Sequence, residues 1–144
     1  MPPAAGSNQP GYYWVNTYAL DSRPLYTLPA LTLHEAVPGH HLQLALQAEL
    51  ENLHPISRES RMTAFVEGWA LYSEAVMKEY LPLEGQLMSL HGRLMRAARA
   101  FLDPMVNLGR LTPEQAREFL MREVVLSEPM ATQEVDRYTF RLPG

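Results

Sequence analysis

From Leu28 to about Leu53 the residues follow a helical pattern that is broken at Pro38-Gly39. That break decides what the histidines on either side can do. Proline has no N–H to donate to the carbonyl four residues before it, here that of His34, and its ring clashes with that carbonyl. Glycine reaches backbone angles closed to other residues. In an unbroken helix His40 would point away from His34, and His41 would return to the same face but about 10 Å along the axis. Neither could share one ion with His34. With Pro38-Gly39 looped out, a kinked turn can bring His40 beside His34 and leave Glu35 facing the same space.

The residue types in this stretch, His34-Glu35-Ala36-Val37-Pro38-Gly39-His40-His41, are those of a hydrolytic zinc site built from two histidines and a glutamate. The usual spacing places the histidines four residues apart on one helix face, so the sequence departs from the standard arrangement by two inserted residues. Glu67, within Phe65-Val66-Glu67-Gly68-Trp69, is the candidate third ligand. A carboxylate among apolar neighbours needs a partner such as a metal, and the chain between His40 and Glu67 suffices for a turn near Pro55 and an antiparallel return. Glu74, seven residues further on the same face, is placed to accept a hydrogen bond from a ligand imidazole and fix its tautomer. His54 and His91 lack such a setting and read as surface or helix-end residues. The plainer alternative is that the histidines are helix caps or satisfied core residues, with Glu67 a surface partner of Arg61.

Composition narrows the function classes. The chain has 144 residues, 47% of them apolar, enough for one domain and without an apolar run of the ~20 residues a membrane span needs. Its net charge of −4, from 12 basic and 16 acidic residues in no long block, lacks the basic footprint of a nucleic-acid binder. The absence of cysteine removes disulfides, thiolate metal sites and a cysteine nucleophile together, leaving histidine and carboxylate as the strong ligands. Residues 1–10 have neither the basic nor the apolar region of a signal peptide and read as a flexible leader.

Residues 11–144 read as a single, mainly α domain. Gly11 to Leu20, rich in aromatic and β-branched residues, reads as a short strand that could align an extended peptide by β-addition or pack its aromatics on the helices. Ser57 or Ser60 is a cap for a helix running to about Tyr80. Another is expected from Glu84 to Leu102, with apolar residues at Leu87, Leu90, Leu94 and Ala98 and with Asp103-Pro104 closing or kinking it. Thr112-Pro113-Glu114-Gln115 is a capping box that starts a helix to about Val124. From Ser127 onward the pattern is mixed.

His34-Glu35-Ala36-Val37-Pro38-Gly39-His40-His41-Leu42-Gln43, taken with Glu67-Gly68-Trp69-Ala70-Leu71-Tyr72-Ser73-Glu74, resembles the bacterial "domain of unknown function 885" family. That family is similar to the thimet oligopeptidase and angiotensin-converting-enzyme group of helical zinc peptidases. Supporting likenesses are Pro10-Gly11-Tyr12-Tyr13, Arg96-Ala97-Ala98-Arg99 with Asp103, and Glu134-Val135-Asp136-Arg137-Tyr138 with Pro143-Gly144. The resemblance implies His34, His40 and Glu67 as zinc ligands, Glu35 as general base, and Tyr138 and Arg137 as candidates to bind substrate or hold the oxyanion. It favours His40 over His41, and it implies that the chain corresponds to a C-terminal catalytic segment of longer proteins. After Asp103 the family commonly carries a glycine and a histidine, where this chain has Pro104-Met105-Val106-Asn107.

The expectation is therefore a zinc-dependent hydrolase of peptide bonds, in which metal-activated water attacks and Glu35 moves the proton. Two alternatives stay open: a helical domain that binds a peptide or partner without cleaving it, and a metal hydrolase of a non-peptide amide or ester.

Overall fold

Proline sets most of the boundaries. The computed structural model describes residues 10–17, 20–59 and 62–140. Two single turns of 3-10 helix, Leu20–Ser22 and Leu25–Thr27, lead into α1 (Leu28–Glu35), whose Pro29 sits in the first turn where a missing N–H costs nothing. After Pro38-Gly39 comes α2 (His40–Glu49), then α3 (Pro55–Glu59) and α4 (Thr63–Met77), which a 3-10 turn at Lys78–Tyr80 extends. Pro82 precedes α5 (Leu83–Asn107), Pro113 opens α6 (Pro113–Glu123), and Pro129 falls in the first turn of α7 (Glu128–Phe140). The protein is mainly helical, as its sequence pattern implies. No described helix is long and apolar enough to cross a membrane.

Residues 11–17 form no strand, contrary to the sequence reading. Aromatic and β-branched content favours a strand only where a neighbouring strand completes the hydrogen bonds, and none is present among the described residues. Most of the expected leader, residues 1–9, lies outside the described residues, as do Ser60, Arg61 and Pro143-Gly144. Ser57 lies inside α3.

Two helix ends correct the sequence reading. α5 continues through Asp103-Pro104 to Asn107 and is closed off by Gly109, whose φ of 66° is the left-handed conformation that favours glycine. There Gly109 N–H donates to Val106 O at 3.0 Å and Arg110 N–H to Met105 O at 2.8 Å, closing a Schellman-type end. Asn107 adds hydrogen bonds from Nδ2 to Asp103 O and Oδ1, at 3.0 and 2.6 Å. The mixed tail, in turn, is helix α7. Its buried residues, Ala131, Glu134, Val135 and Tyr138, follow helical spacing, but Glu134 interrupts the apolar stripe that would have revealed it.

The chain divides into two compact units, Met1–Ser89 and Leu90–Gly144. In the first, α1 and α2 pack on α4 and on each other. Among the described residues of this unit the buried apolar side chains are Ala30 and Ala70, whereas His34, Gln43, Ser73, Glu74 and Ser89 are buried polar ones. The second has a conventional core in which Leu102, Leu120 and Val124 are sealed among Ala98, Ala116, Leu126, Ala131, Val135 and Tyr138. Burying each such Leu contributes about 1.5–3 kcal/mol. Thr112 caps α6 with the full capping box expected from sequence. Of the apolar residues that marked α5 in sequence, Leu87, Leu90 and Leu94 are exposed and Ala98 is buried.

Candidate metal centre

The motif begins where α1 ends. Glu35 is its last residue, and the chain then bends through Ala36, Val37, Pro38 and Gly39 before α2 restarts at His40. The Val37–Pro38 peptide is cis. Gly39 lies against the end of α1 so closely that an added Cβ would fall 1.8 Å from His34 O and 2.4 Å from Leu33 O. Its φ is −75°, so the position requires glycine for room and not for a left-handed backbone. This correction changes the role of Gly39 but preserves the consequence: the loop returns the chain to its starting point. The His34 and His40 rings meet edge to face with centroids 4.7 Å apart.

α4 holds the loop and supplies the third group. Pro38 O accepts hydrogen bonds from Trp69 Nε1 at 2.8 Å and Ser73 Oγ at 3.2 Å. One turn away, Glu67 Oε2 lies 3.7 Å from His34 Nε2 and 3.6 Å from His40 Nε2. The three ligand atoms lie within 4.8 Å of one another, and His41 is not part of the cluster. A tetrahedral zinc ion with bonds of about 2.0–2.1 Å separates its ligands by about 3.3 Å, so the two measured edges need only a small contraction to fit one. Two nitrogens and a carboxylate also match the donor set of an open zinc site.

Behind the cluster, His34 Nδ1 and Glu74 Oε1 are 2.6 Å apart, and both side chains are buried. Donation of an Nδ1 proton to this carboxylate would leave the His34 Nε2 lone pair available to an ion at the cluster. Glu74 thus occupies the orienting position its spacing suggested. The burial argument for Glu67 fails, however: its side chain is 56% exposed, and the sealed carboxylate is Glu74, at 4%. Flanking Phe65 is itself 63% exposed, so apolar neighbours in sequence do not enclose this residue.

Glu35, the candidate base, is exposed at the end of α1. Tyr13, which sequence reasoning placed in a strand, comes near it. Burial raises the phenol above its ordinary pKa, a hydrogen bond with Thr32 opposes this, and the Glu35 charge adds to the rise. Pattern analysis had no signal for that approach, since residues 10–17 carry no regular structure.

Tyr138 and Arg137 belong to the second unit. The Tyr138 hydroxyl donates to Glu134 Oε1 at 2.9 Å, and Arg99 grips the same carboxylate through Nε and, at 3.0 Å, Nη2. Arg137 is half exposed with Nη1 3.9 Å from Glu134 Oε2. Asn107, at the position where the resemblance led to a histidine, also donates to Tyr138 O at 3.3 Å. His54 is exposed and accepts from Ile56 N–H beside α3, as a helix-end residue does. His91, read as surface, is partly buried with Nε2 2.7 Å from Val124 O.

The family model described as "Bacterial protein of unknown function (DUF885)" matches residues 1–144. Among solved structures, "The crystal structure of the putative lipoprotein from Colwellia psychrerythraea" is similar, with a TM-score of 0.86 and 37% identity. The match covers 94% of this chain and 24% of that one, so the chain spans about a quarter of that protein's length. No curated protein matches.

Proposed function

Because the chain belongs to the DUF885 family of bacterial proteins and its fold gathers two imidazoles and a carboxylate at one point, we propose that it is the zinc-binding segment of a peptide hydrolase. The observation that carries this reading is the convergence of His34, His40 and Glu67, with the buried Glu74 orienting His34. The choice of peptides as substrate rests on the resemblance drawn from sequence between this family and the thimet oligopeptidase and angiotensin-converting-enzyme group.

In this reading His34, His40 and Glu67 hold zinc, which when bound acidifies water towards neutrality and polarises a carbonyl. Glu35 adjoins the first ligand and is open to solvent, as a base acting on water must be. It takes a proton from the attacking water and returns it to the leaving nitrogen, a role contributing roughly 10²–10⁴-fold in rate. The negative charge of Glu67 and the neutral imidazoles leave the ligand set with a charge of −1, so bound zinc retains net positive charge for this chemistry. Glu74 keeps the His34 tautomer fixed throughout.

The test is zinc content and peptide hydrolysis of the purified chain, without a metal-binding tag, beside Glu67→Ala and Glu35→Gln. About one zinc per chain, lost in Glu67→Ala and kept in Glu35→Gln while hydrolysis disappears, is the expected pattern. No zinc uptake after supplementation would overturn the metal centre. Zinc uptake with cleavage of esters or non-peptide amides alone would overturn the choice of peptides.

A further inference from the structure

On the helices that carry the ligand cluster, α2, α3 and α4 line an open cavity of about 620 Å³. Leu46, Leu50, Ile56, Phe65 and Trp69 supply much of its wall, and the described lining residues include none with a charge. Its volume is that of a site for a small molecule or a short stretch of chain. It shares both its long helices with the ligand cluster: Gln43 follows His40 by three residues on α2, while Phe65, Val66 and Trp69 flank Glu67 on α4. The Trp69 ring thus lines the cavity while its N–H holds the loop between the histidines.

Gln43 is the informative residue in this wall. Its side chain is buried, and neither its amide nitrogen nor its amide oxygen has a hydrogen-bond partner among the described residues. Gln47, the other lining amide, donates to Ser57 O at 3.1 Å. A buried amide left unmatched is costly, and the group that matches it best is another amide, which offers one donor and one acceptor.

We propose that this cavity binds a large apolar side chain of the substrate, and that Gln43 pairs with the backbone amide of the same residue. The inference rests on the hydrolase reading and adds its substrate class: peptides with a bulky apolar residue near the bond that is cut. Glycine would leave the cavity unfilled, and a charged side chain would lose hydration against the apolar residues described in its wall.

The test uses the full chain, with and without zinc, titrated with N-acetyl-L-phenylalaninamide, N-acetylglycinamide and toluene by NMR. The phenylalanine amide should bind at least about tenfold more tightly than the glycine amide, the yield of burying one aromatic side chain. Val66→Trp, or Leu46→Trp should the first not fold, should abolish that preference by filling the space. Gln43→Leu should weaken the phenylalanine amide about fivefold while leaving toluene no weaker, since it removes hydrogen bonds and not apolar wall. Equal binding of the two amides, a preference that survives both tryptophan variants, or a Gln43→Leu that leaves the phenylalanine amide unchanged would each overturn the proposal. Zinc measured on the same samples separates the two readings. A phenylalanine preference in protein that takes up no zinc retains the cavity and removes the hydrolase, whereas zinc uptake without the preference does the reverse.

Discussion

Replacing Gly39 with alanine is the sharpest test of how the two histidines are brought together. The new Cβ would start 1.8 Å from His34 O, and real Cβ atoms essentially never come nearer than 3.0 Å, so the loop or the end of α1 must retreat by at least about 1.2 Å. The obstructing atoms are the backbone of Leu33 and His34, which cannot swing aside as a side chain would. The hydrogen bonds from Trp69 and Ser73 to Pro38 O hold the loop from the other side. His40, next in sequence, must therefore move relative to His34, by more than the small contraction of the two measured edges that zinc requires. Overpacking of this kind costs about 1–3 kcal/mol, and displacement of a ligand by 1 Å weakens metal binding by at least the 10–100-fold typical of a lost supporting contact. Zinc affinity measured by competition with a chromophoric chelator, together with thermal unfolding of the zinc-free protein followed by circular dichroism, reads both effects. Gly39→Ala that binds zinc as tightly as the parent and melts at the same temperature would refute the close approach of Gly39 to α1, and with it this account of how His40 reaches His34.

Further outcomes follow from the same contacts. Glu74→Gln keeps the shape but removes the charge that fixes the His34 tautomer, so zinc affinity should fall about 10–100-fold in chelator competition; unchanged affinity would remove Glu74 from the centre. In the second unit, burial pushes the Glu134 carboxyl up, but the Arg99 hydrogen bond and charge, helped by Tyr138 and Arg137, bring it below its ordinary 4.5. A lowered carboxylate stabilises the fold above the unfolded value and loses that contribution as pH falls through the folded one. Urea midpoints should therefore drop more steeply below about pH 4.5 in the parent than in Glu134→Gln, which starts about 3 kcal/mol less stable because Arg99 is left without its partner charge. Equal slopes would refute that linkage. Val125, a β-branched residue at φ 58°, should gain about 0.5–1 kcal/mol on replacement by glycine, measured as a raised urea midpoint.

The meeting of His34 and His40 was legible because the break at Pro38-Gly39 lets the chain double back between them, and the contact of Glu74 with His34 followed from helical spacing relative to Glu67. Thr112-Pro113 was legible for a similar reason, since a capping box is local chemistry. What failed was inference that needed knowledge of the surroundings. Apolar neighbours made Glu67 look buried, yet its side chain is more than half exposed, as are or nearly are those of Leu87, Leu90 and Leu94 on α5. In a chain spanning a quarter of the solved structure it resembles, sequence hydrophobicity does not tell which surfaces these residues themselves cover. α7 was missed because its buried face includes Glu134, whose pairing with Arg99 depends on two helices far apart in sequence. Gln43 stood in the sequence motif without a role of its own, because only the packed structure shows its amide to be buried and unmatched.

The helix α4 carries Glu67, Trp69, Ser73 and Glu74, and so touches His34, provides Glu67 and restrains the loop that presents His40. Two histidines without α4 are an incomplete cluster, so if zinc binds as proposed, seating this helix and creating the metal centre are one thermodynamic event. An ion that binds only the seated form stabilises it by about 4 kcal/mol at a thousand times its dissociation constant. In a unit whose described buried apolar side chains are two alanines, that is a large fraction of what any burial can contribute. Zinc would then act as part of the folding nucleus of this segment, and chelation should loosen α4 from α1 and α2 well before it disturbs the leucine-packed second unit.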